Sequence, residues 1–383
     1  MLKIRHFSKS NTTTQPMIEK PRLVLDKEIV FRNCSRISKK IQQNAKHFQP
    51  HFKTHQSIAI GKWIRDLGVT DITVSSMDML AYFIQDDWDS FLLALPLHSG
   101  LFKSINEVNN ECNLKVLSSS IEHLKHLNNI LDKPLQVLLD IDPNYGRTGI
   151  PIDHLSNISE FSKAIQYLSK IALIGCYIHA GNSYQQPNKE SILAFSDVLM
   201  ASITQLKKTL NLPIYYGDTP TCSLMDDFSV IDVLTPGNLF FYDLSQQYIG
   251  SCGQEDIAVW VDCPIIEVKA RNALDLPTHL TQYGDKEFAQ IVIHGGAVHF
   301  SKDYLDIDGR IVYGRIKENS SLYLDKISQE HGLIIGPKDL IYEVAGEPYL
   351  SIYPVHSCLT AESMGGYTDS KTFTCYDHMK GNL

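Results

Sequence analysis

The residues best suited to chemistry are a lysine and two histidines in the run PHFKTH, from Pro50 to His55. If this run ends a strand, the two-residue period places His51, Lys53 and His55 on one face. A lysine between two imidazoles and partly removed from water has its ammonium form disfavoured, and Schiff-base chemistry needs the neutral amine. The alternative is a basic, solvated strand edge, which the local pattern alone favours.

Two more polar side chains follow predicted strands. Arg147, in the segment DIDPNYGRTG, can hold a phenolate or phosphate oxygen, or it can pair with Asp142 in an ordinary turn. His179, in the segment GCYIHAGNSY, can pack flat on an aromatic ring, although a lone histidine at a strand end is more often structural. Both positions suit a barrel, in which catalytic groups lie at the C-terminal ends of the strands.

Two loops of small residues follow the last two predicted barrel strands, at 216–221 (YGDTPT) and 235–238 (TPGN). This is the usual place for a phosphate in a barrel, because small residues let backbone N–H groups approach it and hydroxyls donate to it. Glycine, proline, asparagine and threonine are also the residues of ordinary turns. The joint position of the two loops therefore counts for more than either loop alone.

An imidazole and a thiol, His356 and Cys358, stand two residues apart and are predicted on one strand face. A structural zinc site takes four protein ligands, so two cannot close one. Two ligands with waters would leave positions open for a substrate oxygen. The alternative is an incidental pair, which such a spacing is more often than not.

Short apolar runs alternate with helical spacing from about residue 21 to 240, and several runs are apolar on both faces, as in a buried parallel sheet. Helical faces recur, for example Ile192, Phe195, Leu199 and Ile203. No GxGxxG follows the first strand, so a (β/α)8 barrel of TIM type is favoured over a dinucleotide fold. The predicted strands are Arg22–Leu25, Asp71–Val74, Phe91–Leu95, Leu114–Leu117, Leu135–Ile141, Ile171–Ile178 and Pro213–Tyr216.

A second, mostly β domain is predicted after about residue 250, where helical spacing is scarce. The domain prediction is a barrel at 20–245, and a β domain of 1–19 plus 246–383 that carries His356 and Cys358. The predicted β segments are Ile257–Val268, Ala289–His294, Arg310–Tyr313, Leu322–Ser328, Leu340–Val344 and Tyr349–Tyr353.

The bulk composition excludes several classes. A net charge of -8 argues against nucleic acid or an anionic membrane as partner. No apolar run reaches the ~18 residues of a membrane span. No secretory h-region lies in residues 1–16, so we expect a cytoplasmic protein. Eight scattered cysteines without a CxxC pair suit reduced thiols.

Taken together, these segments resemble the fold-type III pyridoxal phosphate enzymes related to alanine racemase, and most closely their D-threonine aldolase and D-serine dehydratase branch. The family signature RPHxKTHK appears as QPHFKTHQ at 49–56. The similarity spans about residues 20–362. The other matching segments, in the family's order, are GRTG at 146–149, HAGNSY at 179–184, GDTPT at 217–221, PGN at 236–238, SQEHG at 328–332 and PVHSC at 354–358.

The resemblance implies a role for each site residue. Lys53 would carry pyridoxal 5'-phosphate as a Schiff base and act as the base at Cα, Arg147 would bind the cofactor's 3-oxygen, and His179 would pack on the pyridine ring. The phosphate would lie among the backbone N–H groups of Gly217, Thr219, Gly237 and Asn238. Zinc, or another divalent metal, would be held by His356 and Cys358; alanine racemases lack this pair, which favours the lyase branch.

The sequence departs from the family pattern at three points. Gln49 and Gln56 stand where the family has arginine and lysine. Thr235 stands where alanine racemases place an arginine on the pyridine nitrogen, and Tyr184 is the candidate partner here. The stretch Ile293–Asp303, IHGGAVHFSKD, has no assigned role.

The resemblance implies a lyase that uses pyridoxal phosphate and zinc on a β-hydroxy-D-amino acid, and a homodimer. Two reactions stay open: retro-aldol cleavage to glycine and an aldehyde, or dehydration to a keto acid and ammonia. A metal-independent amino-acid racemase of the same fold and a non-catalytic, cofactor-binding regulatory protein are the competing hypotheses.

Overall fold

A computed structural model describes residues 17–44, 46–271 and 287–381. The N-terminal segment 1–16, on which part of the domain and localisation predictions rested, lies outside the described residues. The chain divides into two compact units. Within the described residues, one comprises residues 23–260 and 353–381, and the other comprises residues 17–22 and 261–352. The first unit therefore includes the segment that carries His356 and Cys358.

Strands and helices alternate through the first unit, and strands predominate in the second. The strands are β1 (Arg22–Leu25), β2 (His47–Phe48), β3 (Ile72–Val74), β4 (Ser90–Pro96), β5 (Asn113–Ser118), β6 (Leu135–Asp142), β7 (Ile150–Pro151), β8 (Ile171–Ile178), β9 (Ile214–Tyr216), β10 (Val233–Leu234), β11 (Val259–Arg271), β12 (Phe288–His294), β13 (Leu305–Ile307), β14 (Arg310–Val312), β15 (Gly314–Ile316), β16 (Leu324–Ile327), β17 (His331–Pro337), β18 (Tyr349–Pro354), β19 (Tyr367–Asp369) and β20 (Cys375–Tyr376).

The α-helices are α1 (Lys27–Gln43), α2 (Ile58–Asp66), α3 (Met77–Ile84), α4 (Phe102–Glu111), α5 (Ile121–Ile130), α6 (Leu155–Ile165), α7 (Lys189–Leu210), α8 (Thr219–Leu224), α9 (Leu244–Tyr248), α10 (Ala297–Phe300), α11 (Lys338–Val344) and α12 (Ser357–Met364). None of the described helices is both long and apolar enough to cross a bilayer. All eight cysteines are free.

Eight parallel strands form the barrel sheet of the first unit, in the order β2-β10-β9-β8-β6-β5-β4-β3. A parallel bridge between His51 and Thr73 links the chain after β2 to β3, so the two ends of the sheet meet. The Thr73 N–H donates to the carbonyl of Pro50 at 2.8 Å. The predicted (β/α)8 barrel with a mostly β second domain is confirmed.

The barrel strands are buried on both sides, as their continuous apolar runs predict. Leu138 of β6 is fully buried in a cluster with side chains from five neighbouring strands. The helix α7 turns Ile192, Leu199 and Ile203 toward the core, as their spacing predicts, and ends at Asn211, whose φ of +50° lies in the left-handed region.

Antiparallel pairing dominates the second unit. The strand β12 lies between β11 and β17, β16 follows β17, and β18 pairs with β11. The strand prediction for Leu340–Val344 is wrong, because these residues belong to α11. Its buried residues, Ile341 and Val344, are three positions apart, which is helical spacing that the short apolar run concealed.

Candidate functional site

Lys53 lies on a short 3-10 turn, Phe52–Thr54, that follows β2 at the C-terminal end of the barrel. The prediction of a strand end with His51, Lys53 and His55 on one face is therefore wrong. In a 3-10 turn neighbouring side chains diverge, and here both histidines are buried while Lys53 remains accessible. The ring Nδ1 of His51 accepts from the Lys53 N–H at 3.3 Å and fixes the start of the turn.

His55 belongs to the core. Its ring contacts that of Phe52, with 4.4 Å between centroids, and that of Phe240 at 5.9 Å. Its Nδ1 accepts from the Ser57 N–H, and its buried Nε2 has no hydrogen-bond partner within the described part of the chain. Burial lowers the pKa of His55 to about 3, against the nearby Asp377 carboxylate, which raises it. This imidazole is neutral and structural.

The surroundings of Lys53 favour its neutral amine. Burial is the main cause that lowers the pKa of Lys53, and the Arg147 guanidinium lowers it further, while the Cys358 thiolate opposes them. The side chain is thus accessible to solvent within a cleft, yet has enough protein around it to be partly desolvated. A less basic amine at the mouth of a barrel can attack a carbonyl carbon.

Arg147 follows β6 in a loop that Asp142 organises. The Asp142 carboxylate accepts from the N–H groups of Tyr145 at 2.7 Å and Gly146 at 3.0 Å. In the part of the chain that the structure describes, no ion pair joins Arg147 to Asp142. The guanidinium instead lies 5.8 Å from the centroid of the Tyr145 ring, which is 6.2 Å from that of His179. Its charge lowers the pKa of His51, Lys53 and His179.

His179 ends β8 with its ring fixed. Its Nδ1 lies 2.7 Å from the Gly217 carbonyl oxygen, so Nδ1 carries the proton and donates. Burial, reinforced by the charges of Lys53 and Arg147, lowers the pKa of His179 to about 3. The ring is therefore a neutral surface in one orientation, which suits packing against another ring.

Tyr184 lies at the first of the two predicted phosphate loops. Its hydroxyl accepts from the backbone N–H of Thr219 at 3.0 Å. Asp218 caps α8, since its Oδ1 accepts from Thr221 N–H at 2.6 Å and from the Ser183 hydroxyl at 2.9 Å. The Gly217 N–H donates to the Ile178 carbonyl and so belongs to the hydrogen bonds of the barrel.

The second predicted phosphate loop packs directly on the turn that carries Lys53. A Cβ on Gly237 would lie 2.6 Å from the His51 carbonyl oxygen and 3.0 Å from Thr54 Oγ1, so only glycine fits. The His51 N–H donates to the Pro236 carbonyl at 3.1 Å. The loops at 217 and 237 and the Lys53 turn thus lie side by side.

Several buried polar atoms at these loops have no hydrogen-bond partner among the residues that the structure describes. They are Thr219 Oγ1, Thr235 Oγ1 and Asn238 Oδ1, all on residues that are at most 7% exposed. Buried polar groups are normally hydrogen-bonded. The Thr219 N–H is already paired with the Tyr184 hydroxyl. The two threonine hydroxyls can donate to a phosphate group, whereas Asn238 Oδ1 can only accept a hydrogen bond.

His356 and Cys358 do not lie on a strand, so that part of their prediction is wrong. His356 is the N-cap residue of α12, and Cys358 lies in its first turn. Burial raises the pKa of Cys358, but hydrogen bonds with His356 and Thr54 and the charge of His356 outweigh it, and the net pKa is lowered. Imidazole and thiolate donors held together in this way fit a zinc ion, with positions left for other ligands.

Asp243 is a site residue that the sequence analysis missed. Its carboxylate accepts from Asn238 Nδ2 at 2.7 Å and from the Ser357 N–H at 3.0 Å. Asn238 Nδ2 in turn lies 3.5 Å from Cys358 Sγ, and that sulfur lies 3.4 Å from Thr54 Oγ1. One carboxylate therefore fixes the second loop and the start of α12 together.

Comparisons with known proteins agree with this geometry. The sequence profile described as "Alanine racemase, N-terminal domain" matches residues 25–242, and that described as "Putative serine dehydratase domain" matches residues 280–368. The chain is 26% identical to D-serine dehydratase of Dictyostelium discoideum over 380 residues, covering 90% of this chain and 91% of that one. It is 22% identical to D-threo-3-hydroxyaspartate dehydratase of Delftia sp. (strain HT23), with 91% and 93% covered.

Solved structures share the fold. A cysteine-to-alanine mutant of D-threo-3-hydroxyaspartate dehydratase in the metal-free form superposes with a TM-score of 0.82 at 20% identity, covering 96% of this chain and all of that one. D-threonine aldolase from Filomicrobium marinum has a TM-score of 0.79 at 15% identity, with 95% of each chain covered.

The resemblance inferred from the seven segments, to the enzymes related to alanine racemase and their dehydratase branch, is therefore confirmed. The profile match at residues 25–242 covers the barrel and more than half of the chain. This protein belongs to the alanine racemase N-terminal domain family.

Proposed function

We propose that this protein is a lyase that uses pyridoxal phosphate and zinc to dehydrate a β-hydroxy-D-amino acid. The observation that carries the proposal is the grouping at the barrel mouth: a desolvated Lys53 within electrostatic reach of Arg147, His179 and Cys358. An amine, a cation, a neutral ring and a metal-binding thiol in one cleft match the parts that such a reaction needs.

The cofactor would be held by three sets of groups. Lys53 Nζ would bond to its aldehyde carbon, His179 would support one face of its ring, and Arg147 would pair with the phenolate oxygen. The phosphate would accept hydrogen bonds from the unpaired hydroxyls of Thr219 and Thr235. When bound, the cofactor withdraws electrons from Cα and spreads the negative charge that develops there.

The metal would be held by His356 and Cys358 and would weaken the bond from Cβ to the hydroxyl as a Lewis acid. Two protein ligands leave positions for the substrate's hydroxyl and for water, the open form that catalytic zinc sites share. A solved relative is described as a cysteine-to-alanine mutant of D-threo-3-hydroxyaspartate dehydratase in the metal-free form, which supports a metal in this fold.

Lys53 is the base that this chain supplies for the Cα proton. Its lowered pKa increases the share of neutral amine near neutral pH. Loss of the Cα proton and of the β-hydroxyl as water yields an enamine. The enamine tautomerises to an imine, and a water molecule from solvent hydrolyses the imine to a 2-keto acid and ammonia. Arg147 supplies a positive charge, and the neutral His179 supplies an apolar surface. Neither group competes with Lys53 for the Cα proton.

The relatives favour dehydration over aldol cleavage. D-serine dehydratases from Dictyostelium discoideum and Schizosaccharomyces pombe match nearly the whole chain at 26% and 24% identity. The D-threonine aldolase is a structural neighbour at 15% identity, and this similarity shows a shared fold only.

Product identification tests the proposal. The purified chain with pyridoxal phosphate and zinc is given D-serine, D-threo-3-hydroxyaspartate and D-threonine, each with its L isomer as control. We expect keto acid and ammonia from at least one D substrate and none from the L isomers. Formation of glycine and an aldehyde would show that the reaction is aldol cleavage and not dehydration. Inversion at Cα without loss of ammonia would show that it is racemisation. Bound cofactor with no turnover on the whole panel would overturn an enzymatic role.

A further inference from the structure

A second cluster of metal-ligating side chains lies in the unit of residues 261–352. His294, His299 and Glu330 each offer one ligand atom, and these atoms all lie within 4.8 Å of one another. The cluster contains no residue of the barrel site described above. It gives a structural context to the stretch Ile293–Asp303, to which the sequence analysis assigned no role.

Each ligand comes from a different local element. His294 is the last residue of β12, His299 lies in the short helix α10, and Glu330 lies in the turn between β16 and β17. His294 Nε2 is 3.8 Å from a Glu330 carboxylate oxygen, and the two imidazole rings are 5.4 Å apart between centroids and nearly perpendicular. All three side chains are only partly buried, so an ion can reach them from solvent.

Backbone hydrogen bonds hold the two ligand-bearing segments together. Gly295 N–H donates to the Glu330 carbonyl at 2.9 Å, Ala297 N–H to the Ser328 carbonyl at 2.8 Å, and Val298 N–H to the Gln329 carbonyl at 3.2 Å. The backbone of the residues that would bind the ion is therefore held in place by main-chain hydrogen bonds before any ion binds.

The two glycines between the histidines make this close approach feasible. A Cβ on Gly296 would lie 2.5 Å from the carbonyl oxygens of Ser328 and Gln329. A Cβ on Gly295 would lie 2.6 Å from Cys263 Sγ. The HGGAVH sequence thus combines two imidazoles with the small residues that bring them to the Glu330 turn.

The donor set and spacing suit a divalent ion of borderline softness. Two imidazoles and one carboxylate with a position left open are a known zinc arrangement. In tetrahedral zinc, ligand atoms lie about 3.4 Å apart, given bonds of about 2.1 Å. The ligand atoms here lie within 4.8 Å of one another, and rotation of these partly exposed side chains can bring them to the shorter spacing of a zinc site. His299 Nδ1 accepts from the Gly296 N–H at 3.2 Å, so the ring proton lies on Nε2 before an ion binds. Zinc binding at Nε2 requires this proton to move to Nδ1, which gives up the long hydrogen bond from Gly296.

We propose that His294, His299 and Glu330 form a zinc site, distinct from His356 and Cys358, that links α10 to the turn between β16 and β17. Zinc at this site stabilises the fold of the unit of residues 261–352, because an ion that binds the native state and not the unfolded chain raises the free energy of unfolding.

The experiment uses the untagged full-length chain with His356→Ala and Cys358→Ala as the background, so that zinc binding at the barrel site is removed. Equilibrium dialysis against micromolar Zn²⁺ should give one bound equivalent per chain. Co²⁺ should give visible ligand-field bands without the thiolate charge-transfer band that a cysteine ligand produces.

Substitutions in that background decide the assignment. The double change His294→Ala with His299→Ala should remove the equivalent, and Glu330→Gln, which keeps the side-chain shape, should weaken Zn²⁺ binding by at least about tenfold. The matched control His154→Ala removes an exposed histidine elsewhere and should change nothing. Zinc binding that survives the double change in a folded chain, or the absence of any bound equivalent in the background, would overturn the proposal.

Discussion

Among the single residues of the site, Cys358 belongs to the pair proposed to hold the metal and not to the groups proposed to hold the cofactor. Its thiol contacts Thr54 and Asn238 and is paired with His356, but it does not belong to the groups proposed to hold the ring or the phosphate. Cys358→Ala should therefore bind pyridoxal phosphate with an unchanged absorbance band and lose zinc. Because Lewis-acid polarisation contributes several kcal/mol, dehydration should slow by at least about 10²-fold.

The exposed Cys375 provides the control for that substitution. Cys375→Ala should keep the rate, the metal and the cofactor. Full dehydratase activity in Cys358→Ala, measured after treatment with a chelator, would show that the reaction needs no metal at this thiol.

Some site residues were predictable from the sequence and others were not. Lys53, Arg147 and His179 stand in short segments with glycine or proline neighbours, and the structure places the neutral His179 ring within electrostatic reach of the Lys53 and Arg147 charges. Asp243 could not be identified in this way, because it contacts Ser357, which is 114 residues away in sequence. A capping aspartate before a helix is common, and nothing in the sequence shows what else it binds.

At the level of elements, Gly237 couples the second loop to the Lys53 turn. Gly237→Ala puts a methyl group 2.6 Å from the His51 carbonyl, so the turn must move. We expect the free energy of unfolding to fall by about 1–3 kcal/mol, with weaker cofactor binding. Urea unfolding and cofactor titration measure the two effects.

Gly346 is the matched control for that change, because a Cβ there meets only the Glu343 carbonyl, at 3.8 Å. Gly346→Ala should shift the free energy of unfolding by less than about 1 kcal/mol and leave cofactor binding unchanged. Equal effects of the two substitutions would refute a specific coupling at 237.

Asp377 anchors the C-terminal segment to the start of α2. Its carboxylate accepts from Ile58 N–H at 2.7 Å, Ala59 N–H at 2.9 Å and the Ser57 hydroxyl at 3.0 Å, and it also bonds to the Tyr82 hydroxyl. Asp377→Ala leaves these donors without their charged acceptor, so the free energy of unfolding should fall by about 2–3 kcal/mol.

The same substitution at the exposed Asp197 of α7 serves as the comparison. Asp197→Ala should change the urea midpoint little. If Asp377→Ala were equally mild, the carboxylate would not be a main anchor of that segment.

For the whole molecule, buried neutral histidines predict how stability depends on pH. Burial lowers the pKa of His55 to about 3 and that of His378 to about 4, while Asp377 raises both. The ordinary value of 6.5 applies in the unfolded chain, which therefore binds more protons between these limits. The contribution of these histidines to the free energy of unfolding is fully present above about pH 6.5. It falls below that pH by up to about 1.4 kcal/mol per pH unit for each histidine.

Urea unfolding between about pH 7.5 and 5, above the range where most carboxylates titrate, measures this slope. His55→Gln should flatten it, whereas His154→Ala, which removes an exposed imidazole, should not. A free energy of unfolding that is constant across the range in the parent chain would show that these imidazoles are not kept neutral.

The architecture was more predictable than the local geometry of the site. Continuous apolar runs such as Ile171–Ile178 predict a strand buried on both faces, and the structure has a strand with those bounds. Two-residue strands such as His47–Phe48 and Val233–Leu234 are too short to give a pattern. The Phe52–Thr54 turn was missed for the same reason, since a single 3-10 turn leaves no period in the sequence.

The most direct test of the account is the site at which pyridoxal phosphate attaches. The holoenzyme is treated with borohydride, which reduces the C=N bond between an amine and the cofactor's aldehyde carbon to a stable C–N bond, and the labelled peptide is identified by mass spectrometry. The account predicts a single labelled residue, Lys53, and no label in Lys53→Ala. A label on another lysine, or none in a chain that still converts D-serine, would contradict it.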